Sequence, residues 1–239
     1  MSEHSIATAL HDGGYARYNP ATFGAAFDKA DEADQIKAYF GDLALDPYSK
    51  GNRFRAYAQF KSEGGELVFG KFEDYLQTKK YNPVTGGIIR DYPPISPDIL
   101  QTETMQKLLE QDIEICRQLP GIPPLDEMMN GIHFFRYRAD VDTPAYSSPA
   151  WLHRDDETVV FLHLIDRSAD LLGGDNIIAT SGADIETVLS LDSFLDTLVV
   201  NQKKLHAVTP MGTPSHYKPG EFVYRDIILV TFQVRDADV

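Results

Sequence analysis

The strongest constraint on the fold is a change of pattern at Gly131. From there onward the chain is a succession of short β-branched or aromatic runs: Ile132–Ala139, Val159–Ile165, Asn176–Ala179, Thr197–Asn201, Ala207–Thr209 and Arg225–Val234. Clusters such as Leu172-Gly173-Gly174-Asp175 and Thr213-Pro214-Ser215 separate them. Runs of this kind fit a pleated, half-buried strand, and turn residues at near-regular intervals fold successive strands back on one another. A β-sandwich or barrel is therefore expected over residues 131–239.

Residues 1–130 read as a helical and mixed layer around that core, the whole chain (1–239) making one mostly β domain with some α. Thr22–Ala30 and Ala33–Phe40 carry short helical patterns, and Asp31 or Asp34 is a candidate cap for the second. Arg53–Phe60 and Glu66–Gly70 read as strands joined through Gly64-Gly65, since glycine adopts positive φ without steric cost. Tyr81–Pro97, rich in Pro, Gly and Tyr, reads as an ordered loop. Asp98–Leu119 is the clearest helix: Leu100, Met105, Leu108, Leu109, Ile113 and Cys116 lie near a 3.6-residue period, and Pro120 ends it.

Composition narrows the function. Hydrophobic residues make up 43% and charged residues 24%, enough for an ordinary core. A net charge of −14 repels phosphate backbones and anionic lipid, so neither nucleic acid nor a membrane surface is an expected partner. The single cysteine, Cys116, excludes a disulfide framework and a thiolate zinc cluster. The longest apolar runs are strand-sized, and Met1–Leu10 lacks a basic region followed by an apolar run. The expectation is a reduced, cytoplasmic, soluble protein.

Within the strand region, His153-Arg154-Asp155 stands just before the apolar run Val159-Val160-Phe161-Leu162. In extended backbone, residues two apart point to the same side, so the imidazole and the carboxylate project together. Two histidines and one carboxylate on one face of an iron(II) ion leave positions open for a co-substrate and dioxygen. His206, in Leu205-His206-Ala207-Val208, is the candidate third ligand. Arg225 opens the last strand, where a guanidinium can hold the distal carboxylate of a 2-oxo acid in two parallel hydrogen bonds. Thr231 shares its face of that strand and is a second candidate contact.

The motifs in order are Arg53-Phe54-Arg55, Tyr75-Leu76-Gln77, Tyr81-Asn82, Gly86-Gly87 with Arg90, Tyr92-Pro93-Pro94-Ile95, His133-Phe134-Phe135-Arg136, His153-Arg154-Asp155, Leu164-Ile165-Asp166-Arg167, Gly173-Gly174-Asp175, Leu205 to Pro210, and Arg225-Asp226 leading into Val230-Thr231-Phe232. From about residue 50 onward the chain resembles the small bacterial Fe(II)/2-oxoglutarate dioxygenases that include the free L-amino-acid (L-isoleucine) hydroxylases. The resemblance implies a double-stranded β-helix (jelly-roll, cupin-like) core, iron on His153, Asp155 and His206, and 2-oxoglutarate on Arg225. It also implies hydroxylation of a free aliphatic L-amino acid such as isoleucine, leucine or methionine, with conversion of 2-oxoglutarate to succinate and CO2. Two alternatives stay open: the same chemistry on a modified amino acid or other small biosynthetic intermediate, and a cupin-like metal or small-molecule binder without turnover. Ala150-Trp151 and Asp156 depart from the family pattern beside the metal residues.

Further expectations concern the surroundings. Arg136, rather than His133 on the opposite face of the same strand, is taken as a contact for the amino-acid carboxylate. Trp151 is a candidate pocket wall, and Asp156 a candidate partner for a substrate ammonium. His163, inside an apolar run, reads as a hydrogen-bonded core histidine, and His216 as a surface residue.

Overall fold

The computed structural model describes residues 2–20, 27, 29–49, 52–76, 79, 86–147 and 149–234. The helical pattern at Thr22–Ala30, apart from Phe27, Lys29 and Ala30, and the Tyr81-Asn82 motif lie outside them. Helices are α1 (Glu3–Gly13), α2 (Ala30–Tyr39), α3 (Pro97–Leu100) and α4 (Glu103–Arg117). Strands are β1 (Tyr15–Tyr18), β2 (Arg53–Glu63), β3 (Glu66–Gly70), β4 (Tyr75–Leu76), β5 (Ile89–Arg90), β6 (Met128–Asp140), β7 (Val159–Arg167), β8 (Asn176–Ser181), β9 (Asp184–Leu189), β10 (Thr197–Asn201), β11 (Leu205–Val208) and β12 (Phe222–Val234).

Seven strands form the larger sheet, in the order β1-β10-β7-β12-β6-β2-β3, and β11-β8-β9 form a smaller one. Neighbours are antiparallel throughout. Apolar side chains from both sheets meet in between, among them Phe135, Val160, Ile178, Leu198, Val208 and Ile227. The outer face of the large sheet carries a second core, where Phe134, Phe161, Ile228 and Phe232 meet Ile6, Leu10 and Ile36 from α1 and α2 and Met105, Leu108 and Leu109 from α4. This is the double-stranded β-helix that the motif order implied.

Both faces of the large sheet are thus covered, and that alters the reading of the first half. Rather than only surrounding the core, it supplies β1, β2 and β3 to the sheet. In β2, Ala56, Ala58 and Phe60 join the helix-covered core, while Arg53, Arg55 and Gln59, also buried, alternate with them on the other face. The β2–β3 hairpin turns through Gly64 and Gly65 at positive φ (62° and 91°), as their pairing in sequence predicts.

The long helix expected over Asp98–Leu119 is two. Thr102 breaks it and caps α4, its hydroxyl accepting from the Met105 amide (3.3 Å). Glu32 on α2 reaches the same helix start and accepts from the Thr104 amide (2.7 Å), an acidic side chain on free N-terminal donors. Neither Asp31 nor Asp34 caps α2, which begins after Lys29 without a side-chain cap. The edge strand β9 escaped the pattern because it is mostly exposed and carries acidic residues on its outside.

His163 is a core residue, as expected. Fully buried, it hydrogen-bonds Asp112 Oδ2 on α4 through Nε2 (2.9 Å) and Thr197 Oγ1 on β10 through Nδ1 (2.8 Å). The Tyr18 hydroxyl donates to the other Asp112 oxygen (3.3 Å). One carboxylate thereby ties α4 to β1 and β7.

Candidate metal centre and cavity

His153 and Asp155 lie on the segment entering β7, and His206 lies on β11 of the small sheet. The backbones of His153 and His206 form an isolated antiparallel bridge, each N–H donating to the other's carbonyl (3.0 and 2.9 Å). That bridge brings residues distant in sequence to one point. Ligand atoms of His153, Asp155 and His206 all lie within 4.8 Å of one another. Asp155 bisects the pair, with Oδ1 3.4 Å from His153 Nε2 and Oδ2 3.1 Å from His206 Nε2.

The flanking chain fixes this geometry. His153 Nδ1 is hydrogen-bonded to the Trp151 carbonyl (2.7 Å), which leaves Nε2 turned to the shared point. Arg154 Nε donates to the Gln202 carbonyl (2.9 Å) and Gln202 Nε2 to the Asp156 carbonyl (3.0 Å), clamping the segment onto the turn before β11. Burial opposes ionisation of Asp155, but the adjacent imidazoles of His206 and His153 outweigh it and hold the carboxyl well below the usual carboxylate range. For His153, burial lowers the pKa, yet the hydrogen bond and charge of Asp155 prevail and raise it. Two imidazole Nε2 atoms and one ionised carboxylate, convergent and pre-oriented, fit a divalent iron ion.

Behind the triad, between the two sheets, opens a cavity. Val160, Leu162, Leu198, Val200, Ile227 and Leu229 give it an apolar wall, and Arg53, Arg55, Arg90, His133 and Glu157 a polar end. Arg53 is committed to Asp46, donating through Nε (2.9 Å) and NH2 (2.5 Å). Arg55 is buried and enclosed by rings, its guanidinium carbon 3.9 Å from the Tyr92 centroid and 4.6 Å from that of Phe135. Burial, then the charges of Arg55 and Arg53, depress the His133 pKa far below its ordinary value. His133 is therefore neutral, and its Nδ1 accepts from Arg55. Glu157 follows Asp155 by two residues and shares its inward side; burial, then the Asp155 charge, push its pKa up to about 8.

Arg225 is fully buried on β12, and Nε and both terminal nitrogens have no hydrogen-bond partner among the described residues. It pairs across the strands with Tyr137, which lines the cavity. Burial lowers its pKa to about 10, with the nearby Arg167 adding to the effect, so it remains charged at neutral pH. Room for it comes from Gly174: a Cβ there would stand 3.1 Å from Arg225 Cδ.

Four expected contacts are placed elsewhere. Thr231 faces inward like Arg225, but six residues of strand separate them by about 20 Å, and its hydroxyl donates to the Gly131 carbonyl (3.4 Å) beside His133. The two cannot share one carboxylate. Arg136 points to the other side of β6 from the cavity-lining Phe135 and Tyr137, and is held by Asp226 through Nε (2.8 Å) and NH2 (2.7 Å). Trp151 is 55% exposed and serves His153 through its carbonyl. Asp156 is outside the cavity lining, since alternation turns it away from the side that Asp155 and Glu157 share. His133, Arg55 and Glu157 line the cavity where Arg136, Trp151 and Asp156 do not.

A family model described as 2OG-Fe dioxygenase matches residues 37–231. The chain belongs to that family, and is an enzyme that uses Fe(II) and 2-oxoglutarate. It is 52% identical over 207 residues to the 3(1)-hydroxy-L-isoleucine 4-dioxygenase of Pantoea ananatis (strain AJ13355), covering 86% of this chain and 83% of that protein. It is 36% identical to the L-isoleucine-4-hydroxylase of Bacillus thuringiensis, covering 85% and 83%. The crystal structure of IDO from Bacillus thuringiensis matches with a TM-score of 0.85 at 30% identity, covering 98% of this chain and 100% of that one. A Pseudomonas putida prolyl-4-hydroxylase, at 12% identity and a TM-score of 0.55, covering 98% and 100%, shares the fold alone. No helix among the described residues is long and apolar enough to cross a membrane.

Proposed function

We propose that this dioxygenase hydroxylates C4 of a free L-isoleucine-type amino acid. The observation that carries the reading is the cavity beside the triad, which combines an apolar wall with arginine and glutamate side chains. A branched aliphatic side chain fits the first, and a free α-amino acid, with one charge of each sign, fits the second. The names of both curated relatives support C4 of isoleucine or its 3(1)-hydroxy derivative. A peptide substrate suits the site less well, because its backbone lacks those charges.

Iron and 2-oxoglutarate, when bound, supply the oxidation: the co-substrate is decarboxylated to succinate and CO2, and one oxygen atom of O2 is placed on the substrate carbon. The protein holds and orients the groups. His153, Asp155 and His206 are the iron ligands. Arg225 takes the distal carboxylate of 2-oxoglutarate, because a buried guanidinium without a protein partner is costly until an anion meets it. The valine and leucine side chains of the wall exclude water from the carbon to be oxidised. The lone Cys116 thiol, buried in the helix-covered core, suits a reducing cytoplasm.

The test is succinate release across free aliphatic L-amino acids, with the product carbon assigned by NMR. L-Isoleucine or 3(1)-hydroxy-L-isoleucine should give amino-acid-dependent succinate and a C4 alcohol. Succinate no higher with any amino acid than without one would overturn the proposal.

A further inference from the structure

We propose that Arg55 and Glu157 read the two charges of the amino acid, Arg55 taking the carboxylate and Glu157 the ammonium. The inference rests on the substrate reading above and adds the residues that enforce it.

Three arginines reach the polar end, and they are not equivalent. Arg53 is neutralised by Asp46 through two hydrogen bonds. Arg90 lies on β5, between this cavity and a neighbouring groove. Arg55, only 2% exposed, has no carboxylate within ion-pair distance among the described residues, and its Nε is without a partner. Its other anchor, His133, is a neutral acceptor that cannot offset a charge. Tyr92 and Phe135 hold the guanidinium by their faces, and Tyr75 packs on it and hydrogen-bonds it. Such stacking holds a cation in position and leaves its in-plane donors free for an anion.

Glu157 is the counterpart. It is 7% exposed, lines the same cavity, and forms no ion pair within 4 Å among the described residues. Apart from Asp155, which the metal claims, it is the one carboxylate among the lining residues. A buried cation and a buried carboxyl group that line one space without closing on each other leave room for a molecule carrying a carboxylate and an ammonium. An α-amino acid bound between them presents its side chain to the apolar wall beside the triad. Each charged group, left unmatched, would cost the complex more than the hydrogen bond itself.

The test separates the two charges by pairing analogues with variants. Binding to the anaerobic Fe(II)–2-oxoglutarate complex is measured calorimetrically for L-isoleucine, for its primary amide, and for 3-methylpentanoic acid, which lacks the ammonium. Wild type should bind each analogue ~10–100-fold more weakly than isoleucine. Arg55→Gln should lose most of the preference for isoleucine over its amide and keep that over the desamino acid; Glu157→Gln should do the reverse. The KM for 2-oxoglutarate should stay within about threefold in both, on the scale that an untouched contact allows. A rise in that KM with Arg55→Gln, or unchanged discrimination in both variants, would overturn the assignment. If either glutamine variant folds poorly, Arg55→Lys and Glu157→Asp carry the same comparison, and the wild-type ladder alone overturns it if all three ligands bind alike. Wild type that binds no free aliphatic amino acid would instead sink the substrate reading, a distinct result.

Discussion

His153 and His206 sit directly opposite one another, backbone hydrogen-bonded in both directions, with ring centroids 4.5 Å apart. The two histidines are thus brought together by main chain rather than by their side chains. His153→Ala and Asp155→Ala should each abolish succinate formation and Fe(II) binding, yet leave circular dichroism unchanged and Tm within a few degrees, as expected of a change under about 1 kcal/mol. Full turnover by either variant would remove the residue from the ligand set.

Gly173 supports the approach of β11 from the far side. It has a positive φ of 74°, and a Cβ there would lie 2.0 Å from the Pro210 carbonyl oxygen, which follows His206 by four residues. Backbone against backbone cannot yield as a flexible side chain would. Gly173→Ala should lower stability by about 3 kcal/mol or more, combining left-handed strain with the clash. Urea unfolding reads this directly; a loss below about 1 kcal/mol, the strain alone, would mean that the turn can move aside.

Arg225 combines a functional need with a cost to the fold. Among the described residues it is the largest fully buried side chain, and its three nitrogens lack partners there. Arg225→Met keeps much of the volume and removes the charge. The variant should be as stable as wild type, or more so by about 1 kcal/mol, while the KM for 2-oxoglutarate rises ~10–100-fold from the lost charged hydrogen bonds. An unchanged KM would show that another cation anchors the co-substrate.

What the sequence disclosed follows from the kind of constraint each residue obeys. The convergence of His153, Asp155 and His206 was legible because few side chains bind iron and because the two-residue spacing of His153 and Asp155 is meaningful in extended backbone. One more step of the same alternation reaches Glu157, so that signal was present and unused. Arg55 was hidden for a different reason. Its strand carries bulky rings on both faces, Phe54 and Phe60 on one and Tyr57 beside the arginines on the other, so alternation alone does not tell which face meets the cavity. On β6, alternation separated His133 from Arg136 without telling which face met the cavity; only the strand order does. Thr231 shows the converse error, since a shared face does not mean a shared location on a strand this long.

Asp226 gives the stability curve a measurable feature. It is fully buried; burial pushes its carboxyl up to about 6, Arg136 opposes the rise, and Asp166 adds to it. The folded protein therefore holds this proton more tightly than the unfolded chain, whose carboxyl titrates near 3.8. The stability due to this proton is present in full below the unfolded value and is lost as pH rises through about 6. Wild type should lose about 3 kcal/mol from this group over that window, on the order of what such a shift implies. Asp226→Asn keeps an acceptor for Arg136 and removes the titration, so the difference between the two unfolding free energies should change with pH across the window and level off above it. Parallel curves for the two proteins from pH 4 to pH 7, on either side of the shifted value, would show that Asp226 titrates as an ordinary carboxylate or stays ionised against Arg136 throughout.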